Sequence, residues 1–163
     1  MSKLQFILYF LIVTNLSCEK KHFLNEYKSI NKLWDIEKPV SFDFNVVDTL
    51  RPFNFFIKLR TDDSYMFNNL YLDISLDHPS GKKYRDTLEY AMSNPDGSML
   101  GRGKMSIKEH KLWYKGYEKK FKFNEIGNYK LIVKHVNREL GEVNGLKFLK
   151  GVLDVGYSIE TVN

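Results

Sequence analysis

The sequence predicts an all-β protein: a single antiparallel β-sandwich of about eight strands, of the jelly-roll or immunoglobulin-like type. Apolar and polar residues alternate along most of the chain, which is the pattern of strands buried on one face. Turn signals that contain Gly, Pro, Asn and Asp recur between these segments at near-regular spacing. Aromatic residues make up 15% of the chain, a share that favours an ordered β-rich fold over a disordered one.

The alternating segments begin in the first half of the chain. Residues 40–46 read VSFDFNV, so that the apolar Val and Phe side chains fall on one face of a strand. The same alternation predicts strands in FNFFIKL at 53–59 and in NLYLDISLDH at 69–78. The sequence HPSGKK then indicates a turn, and YRDTLEYAM at 84–92 is predicted to return as the next strand.

The second half of the chain opens with a loop and continues in strands. The loop is SNPDGSMLGRG at 93–103, which combines Asn-Pro, Asp-Gly and two further glycines. Strands are predicted in KMSI, in KLWYKGYEKKFKF at 111–123, in EIGNYKLIVKHV after Gly127 and in the closing VLDVGYSIETV. A long connection with three glycines, NRELGEVNGLKFLKG, precedes the last strand. A helical turn is expected in NEYKSINKLWDI at 25–36, and helix is otherwise scarce.

Residues 1–17 are predicted to be a secretory signal of the lipoprotein type. Lys3 precedes the apolar run FILYFLIV at 6–13, which is far too short to cross a bilayer as a helix. Leu16-Ser17-Cys18 resembles the end of a bacterial lipobox, which predicts cleavage before Cys18 and attachment of lipid to its sulfur. Because the chain has one cysteine, an exported protein could not form an internal disulfide. The alternative is a stray or buried thiol.

The chain is accordingly divided into a signal peptide at 1–17, a lipidated tether at 18–28 and a β-sandwich domain at 29–163. A domain of this length can bury a sizeable core by itself. Lys and Arg outnumber Asp and Glu by 25 to 20, and the two signs are interspersed along the chain. Because no basic stripe results, no nucleic-acid partner is expected.

No catalytic or metal-binding constellation stands out in the sequence. Asp73 and Asp77 alternate with core leucines, are expected to face solvent, and are not part of a calcium-binding loop. The four histidines have neither the spacing of zinc ligands nor a cysteine partner, and each is expected at the surface. They are His22, His78, His110 and His135. We therefore expect no enzyme activity, no metal, no cofactor and no small-molecule substrate.

Aromatic residues supply the candidate binding surfaces. Trp113 and Tyr114 are neighbours on a predicted strand and point to opposite faces, one of them toward the core. With Tyr117 they form a candidate platform for a partner protein or a glycan, since aromatic rings dominate contact energetics. The alternative is a core ring beside a lone exposed aromatic. Arg60 and Tyr65, at either end of RTDDSY, form a second candidate surface near a loop.

Nine pieces of the sequence follow one another in an order that carries a family resemblance, and with Cys18 they cover nearly the whole chain. They are NEYKSI followed by Trp34, VSFDF, DTLRPFNFFIKLR, YMFNNLYLDI, DTLEYAMSNPDGSMLGRG, KLWYK, GNYKLIV, GEVNGL and GVLDVGYSIE. In this order they resemble the gliding-motility lipoprotein family GldH. The resemblance implies a membrane-anchored component of the envelope apparatus for gliding and the linked secretion of surface proteins, with other proteins of that apparatus as partners. It brings no catalytic residues, and Cys18 alone carries over as a functional position.

Two functions of different classes fit these observations. The first is a non-catalytic, lipid-anchored β-sandwich that acts as a structural or assembly subunit of the gliding and protein-secretion apparatus. The second is a glycan- or peptidoglycan-binding module, which exposed aromatics on a sandwich would favour. Glu19-Lys20-Lys21 follow the cysteine without an acidic run, so the domain is expected to face the periplasm, anchored to the inner or the outer membrane.

Overall fold

The computed structural model describes residues 22–103 and 105–162, and it confirms the predicted all-β sandwich. Over that part of the chain there are ten strands and no helix, so nothing described there could cross a membrane as a helix. The strands are β1 His22–Ser29, β2 Leu33–Asp35, β3 Val40–Val46, β4 Phe53–Thr61, β5 Asn69–Asp77, β6 Lys83–Ala91, β7 Lys108–Lys115, β8 Gly127–His135, β9 Phe148–Lys150 and β10 Val152–Thr161.

The eight longer strands of the described residues form two four-stranded antiparallel sheets. Sheet 1 has the order β1-β10-β4-β7, and sheet 2 has the order β3-β8-β5-β6. Successive long strands mostly alternate between the two sheets, which is the jelly-roll arrangement rather than the immunoglobulin-like one. The short strands β2 and β9 pair with each other as a separate ribbon. The predicted number of about eight strands thus corresponds to the long strands of the sandwich.

The core lies between the sheets and is rich in aromatic rings. Phe44 on β3 stacks on Tyr129 of β8, with ring centroids 5.8 Å apart and planes 7° apart. Phe55 on β4 meets Phe44 edge-on, and Phe123 from the β7–β8 loop contacts both Phe44 and Tyr129. Each such ring removes roughly 150–250 Å² from water. Because a one-residue slip would turn these rings to solvent, they fix the register of β3 against β8.

The N-terminal part of the sandwich differs from the prediction. β1 takes up residues 22–28, which the sequence assigns to a tether, and pairs with β10 from His22 to Ser29. The helical turn expected in residues 25–36 is wrong, because those residues form the end of β1 and all of β2. In KMSI, Met105 has a positive φ of 63° and lies in a turn rather than a strand. These segments acquire their structure from distant partners, which a local pattern does not reveal.

Two histidines that the sequence placed at the surface are buried. His110 is 3% exposed and His135 is fully buried. Both lie on the inward faces of their strands, because His110 is two residues from the buried Leu112 on β7 and His135 is two residues from the buried Val133 on β8. Burial lowers the pKa of each imidazole to about 4. The expectation was wrong for these two residues because they alternate with core side chains.

Asp73 lies on the outer face of sheet 2, as the alternation predicts, but it does not face open solvent. The Arg85 guanidinium from β6 covers it, and its Nε donates to the two carboxylate oxygens at 2.7 and 3.0 Å. These hydrogen bonds lower the pKa of the Asp73 carboxyl. The residue is therefore nearly buried by its own ion pair.

The loops gather at two ends of the sandwich. At one end, which we call the entry end, β1 begins, and His22 pairs there with Glu160 near the end of β10. The amide of Phe53 donates to the carbonyl of Phe121 at this end. Three loops meet there, namely 47–52, 78–82 and 116–126. The opposite end, or far end, holds the β2–β9 ribbon and four connecting segments that include it, namely 30–39, 62–68, 92–103 with 105–107, and 136–151.

Candidate interaction surface

The outer face of sheet 1 carries aromatic and cationic side chains. Alternation along β4 turns Phe55 and Ile57 into the core and Phe56 and Lys58 outward. The edge strands β1 and β7 and the loop after β7 add further rings and cations beside them. The resulting surface, which we call the aromatic-cationic face, consists of Tyr27, Phe56, Lys58, Arg60, Lys111, Trp113 and Tyr117.

Tyr27 joins the two edges of sheet 1. It stands on β1 opposite Gly156 of β10, and its hydroxyl donates to Oε1 of Glu109 on β7 at 2.7 Å. Two cations of β4 lie against its ring, with Lys58 Nζ 4.7 Å and Arg60 Cζ 4.3 Å from the centroid. Burial, followed by the contact with Glu109, raises the pKa of Tyr27, so the phenol remains a hydrogen-bond donor at neutral pH.

A second group of rings lies beside Tyr27, toward the β7 edge. Phe56 and Trp113 have their ring centroids 4.3 Å apart, and the ammonium of Lys111 sits 4.1 Å from the centroid of Phe56. Trp113 in turn contacts Tyr117 at 5.4 Å between centroids. Phe56 is covered by these neighbours, whereas Trp113 is 37% and Tyr117 76% exposed. The two outer rings, Trp113 and Tyr117, therefore expose apolar surface to solvent, while Phe56 packs beneath Trp113.

Ion pairs hold the cations of this face in place. Lys111 Nζ lies 2.7 Å from Oε1 of Glu160, and Lys58 Nζ lies 3.0 Å from Oε1 of Glu109. Arg60 is looser, with its guanidinium 3.5 Å from the carboxylate of Asp154. One partner of each of the first two pairs is largely buried, since the side chains of Glu160 and Lys58 are only 6% and 12% exposed. The consequence of these pairs is geometric, because they fix charged groups around the rings before any partner arrives.

The structure brings together some of the predicted binding residues and separates others. Trp113, Tyr117 and Arg60 all belong to the aromatic-cationic face. Tyr114 points the opposite way from Trp113, as predicted, and its buried hydroxyl donates to Oδ2 of Asp86 at 3.1 Å. The second candidate surface is not formed, because Tyr65 is only 3% exposed and its hydroxyl donates to a backbone carbonyl.

Four members of the face were missed by sequence reasoning: Tyr27, Phe56, Lys58 and Lys111. Phe56 interrupts the alternation of FNFFIKL, and that interruption was the available signal for an outward ring. Lys58 lies two residues after Phe56 and therefore on the same face of β4. Lys111 lies two residues before Trp113 and therefore on the same face of β7, which the strand period already implied. Tyr27 had no such signal, because its partners on β4 and β7 are far away in the chain.

An open groove runs along the β7 side of this face. It has a volume of about 770 Å³, and its walls include Phe56, Arg102 and Trp113. His110 lines the groove, with Nε2 3.0 Å from the hydroxyl of Thr61. Its lowered pKa keeps the imidazole neutral at physiological pH. Among the described residues, no three His, Cys, Asp or Glu side chains gather as metal ligands. The face is suited to stacking and charge-assisted hydrogen bonds.

Sequence comparison places these residues in a known family. A sequence model described as GldH lipoprotein matches residues 22–159, which include every strand but the last residues of β10. The chain belongs to the GldH lipoprotein family. The resemblance read from the motifs is therefore confirmed. Membership in a family of lipoproteins also supports a lipid-anchored place in the cell envelope. Cys18 itself, as the predicted lipid attachment site, lies outside the described residues.

Two relatives show how much of this chain is shared within the family. It is 44% identical over 144 residues to the gliding motility lipoprotein GldH of Flavobacterium johnsoniae, covering 88% of this chain and 87% of that protein. It is 39% identical over 155 residues to the gliding motility lipoprotein GldH homolog of Christiangramia forsetii, covering 95% and 93%. Both relatives are matched over nearly their full length.

Likeness to solved structures is weaker. A family GH115 4-O-methyl-alpha-glucuronidase with specificity for decorated arabinogalactans aligns with a TM-score of 0.42 and 11% sequence identity. The alignment covers 89% of this GldH chain but only 18% of the glucuronidase chain. A likeness of this size carries no information about function.

Proposed function

We propose that this GldH chain is a non-catalytic, lipid-anchored subunit of the gliding and protein-secretion apparatus that holds a partner protein on its aromatic-cationic face. Lipid on Cys18 would keep the domain at a membrane, facing the periplasm. The name of the relatives, gliding motility lipoprotein, supports the anchored location and the machine. The observation that carries the binding role is the pair Trp113 and Tyr117, exposed on a base of ordered rings and cations.

The composition of the face favours a protein as the partner. Binding energy at protein interfaces concentrates in a few Trp, Tyr and Arg residues that sit in a well-packed setting. Trp113, Tyr117 and Arg60 match that composition, and Phe56 packs beneath Trp113. The surrounding ion pairs reduce the entropy lost on binding, because Lys58 and Lys111 are already held in place.

The test replaces the exposed rings in the living cell. A strain carrying Trp113→Ala with Tyr117→Ala is expected to lose colony spreading and surface-protein secretion while the protein stays at its normal level in the membrane. The matched control is Lys130→Ala, on the exposed outer face of sheet 2, which is expected to leave both activities intact. A photo-crosslinker at Tyr117, compared with one at Lys130, then identifies the partner. Normal gliding and secretion in the double variant would overturn the docking role.

The second candidate is a glycan- or peptidoglycan-binding module. The exposed rings of Trp113 and Tyr117 favour it, since sugar rings stack on aromatic faces. Their planes, however, differ by 58°, so the two rings do not form one flat platform for an extended polysaccharide. Retention of the purified protein on insoluble polysaccharides or peptidoglycan, lost in Trp113→Ala with the fold intact, would favour this function. Failure to bind any of them would count against it.

A further inference from the structure

The short segment before β1 limits how far the sandwich can stand from its anchor. This limit depends on the proposed attachment of lipid at Cys18. Four peptide steps separate Cys18 from His22, the first residue of β1. An extended chain advances at most about 3.6 Å per residue, so in any conformation this segment spans no more than about 14 Å. The entry end of the sandwich must therefore lie close to the membrane that holds the lipid.

The entry end presents apolar side chains that the core does not use. Val47 and Leu50 stand in the β3–β4 loop, and Ile126 stands just before β8. Their exposed fractions are 66%, 81% and 66%, respectively. Large apolar residues of this kind, placed within reach of a bilayer surface, favour the boundary between headgroups and acyl chains.

Cations accompany these apolar residues. Lys119, Lys120 and Lys122 are exposed in the β7–β8 loop, and the ion pairs of the described residues do not engage them. The three entry-end loops contain five Lys or Arg and three Asp or Glu, whereas the described residues of the four far-end segments contain six Lys or Arg and seven Asp or Glu. One of the three acids, Asp48, is already paired with Arg51 in the same loop. Charge complementarity therefore points to an anionic surface at the entry end.

We propose that the β3–β4 and β7–β8 loops at the entry end form a membrane-contact surface on the leaflet that holds the lipid anchor. Val47, Leu50 and Ile126 enter the headgroup region. Lys119, Lys120 and Lys122 meet the anionic headgroups of phospholipids, which attract basic segments lying within a Debye length. Contact through this surface adds to the attachment that the acyl chains already provide.

The far end does not compete for this role. It also exposes apolar side chains, among them Met66, Leu140 and Val143, so apolar exposure alone does not distinguish the two ends. A nine-residue strand such as β5, at about 3.3 Å per residue, places the far end roughly 30 Å from the entry end. The segment from Cys18 to His22 cannot bridge that distance. With Val47, Leu50 and Ile126 in the headgroup region, the strands rise from the membrane, and the aromatic-cationic face remains open to a partner at its side.

The test uses the full mature protein, lipidated and reconstituted into vesicles. Acylation blocks the Cys18 sulfur, so a single new cysteine at Leu50→Cys or at the matched far-end position Leu140→Cys takes an environment-sensitive fluorophore. In vesicles of phosphatidylcholine with phosphatidylglycerol, the Leu50 label is expected to shift to the blue and to be quenched by brominated lipids. The Leu140 label is expected to stay in water. Adding Lys119→Glu, Lys120→Glu and Lys122→Glu should remove most of the quenching at Leu50.

The outcomes separate this surface from the anchor on which it rests. A free Cys18 sulfur, read from the mass of the purified protein, would overturn the lipid anchor and this surface together. An acylated Cys18 with a Leu50 label as open to aqueous iodide as the Leu140 label would overturn the surface alone. If the Leu50 label is quenched as strongly in vesicles of phosphatidylcholine alone as in vesicles that also contain phosphatidylglycerol, the role of the lysines is overturned. A label at Ile126→Cys provides a second position should Leu50→Cys disturb its loop.

Discussion

Gly156 leaves the space that the ring of Tyr27 occupies on the outer face of sheet 1. A Cβ atom at position 156 would lie 2.6 Å from Cδ1 of Tyr27, well inside van der Waals contact. The two residues are direct partners in the β1–β10 register. From this position the phenol reaches Glu109 on the opposite edge strand. One missing side chain thus allows one ring to tie the N-terminal strand to the rest of the sheet.

Gly156→Ala is expected to destabilise the protein. The new methyl group would meet the Tyr27 ring and also the carbonyl oxygen of Glu26, at 2.4 Å, so that β1 itself must shift. Overpacking of this kind costs about 1–3 kcal/mol. Urea unfolding followed by circular dichroism measures the loss. In the Tyr27→Ala background part of the cost should remain, because the Glu26 carbonyl is still in the way. Wild-type stability in Gly156→Ala would contradict the packing described.

Tyr27→Phe removes the hydroxyl that bonds Glu109 and keeps the ring. The expected loss is about 0.5–1.5 kcal/mol of unfolding free energy at neutral pH. The Tyr27 hydrogen bond is the main cause that lowers the pKa of Glu109. A carboxyl group with a lowered folded-state pKa stabilises above its unfolded-state pKa, and this contribution disappears as pH falls through the folded-state value. The difference between Tyr27→Phe and wild type should therefore shrink in acid.

The control for this comparison is Tyr117→Phe at an exposed ring. It should match the wild-type protein at both pH values in the same unfolding experiment. A difference between Tyr27→Phe and wild type that persists undiminished in acid would show that Glu109 is not the partner that matters.

Trp34→Ala tests whether the β2–β9 ribbon closes the core at the far end. Trp34 is 1% exposed, and its ring meets His135 edge-on at 5.3 Å between centroids. Truncating a buried aromatic costs about 3–5 kcal/mol. Leu33→Ala, at the adjacent and half-exposed position, should cost much less in the same chemical denaturation experiment. Equal losses at the two positions would mean that the ribbon is peripheral to the core.

The strands that were predicted well are those in which the alternation of apolar and polar residues is enough to identify the strand without its partners. β3, β5 and β8 alternate clearly, β4 does so except at Phe56, and the side chains assigned to their apolar faces are buried. β1 and β2 could not be recognised, because HFLNEYKS and LWD are too short or too polar to specify a strand alone. Their pairing depends on β10 and β9, which lie more than a hundred residues away.

The binding surface was predictable where the two-residue period of a strand decides which side chains lie on the same face. The rule that neighbours on a strand face opposite ways separated Trp113 from Tyr114 correctly. Tyr65 was misjudged because it stands in a loop. Its backbone packs against Gly151, where a Cβ would lie 2.3 Å from the Tyr65 nitrogen. Such a contact between distant segments leaves no trace in either one of them.

The buried histidines predict how stability depends on pH. Both His110 and His135 have folded-state pKa values near 4, below the ordinary value of 6.5. The folded protein therefore binds fewer protons than the unfolded chain between these values. The contribution of each histidine to the unfolding free energy is fully present above the unfolded-state pKa. It is lost as pH falls toward about 4, by up to roughly 3 kcal/mol for each residue.

His135→Phe separates one of these contributions from the rest. Neither ring nitrogen of His135 has a hydrogen-bond partner of good geometry among the described residues, so a phenyl ring loses little there and can keep the edge contact with Trp34. At neutral pH the unfolding free energy is expected to stay within about 1.5 kcal/mol of wild type. Between neutral pH and pH 4 it should fall less steeply, because one titrating group is gone. Lys130→Ala, on the outer face of the same strand, should keep the wild-type slope. An unchanged slope in His135→Phe would mean that the folded protein protonates this histidine as readily as the unfolded chain does.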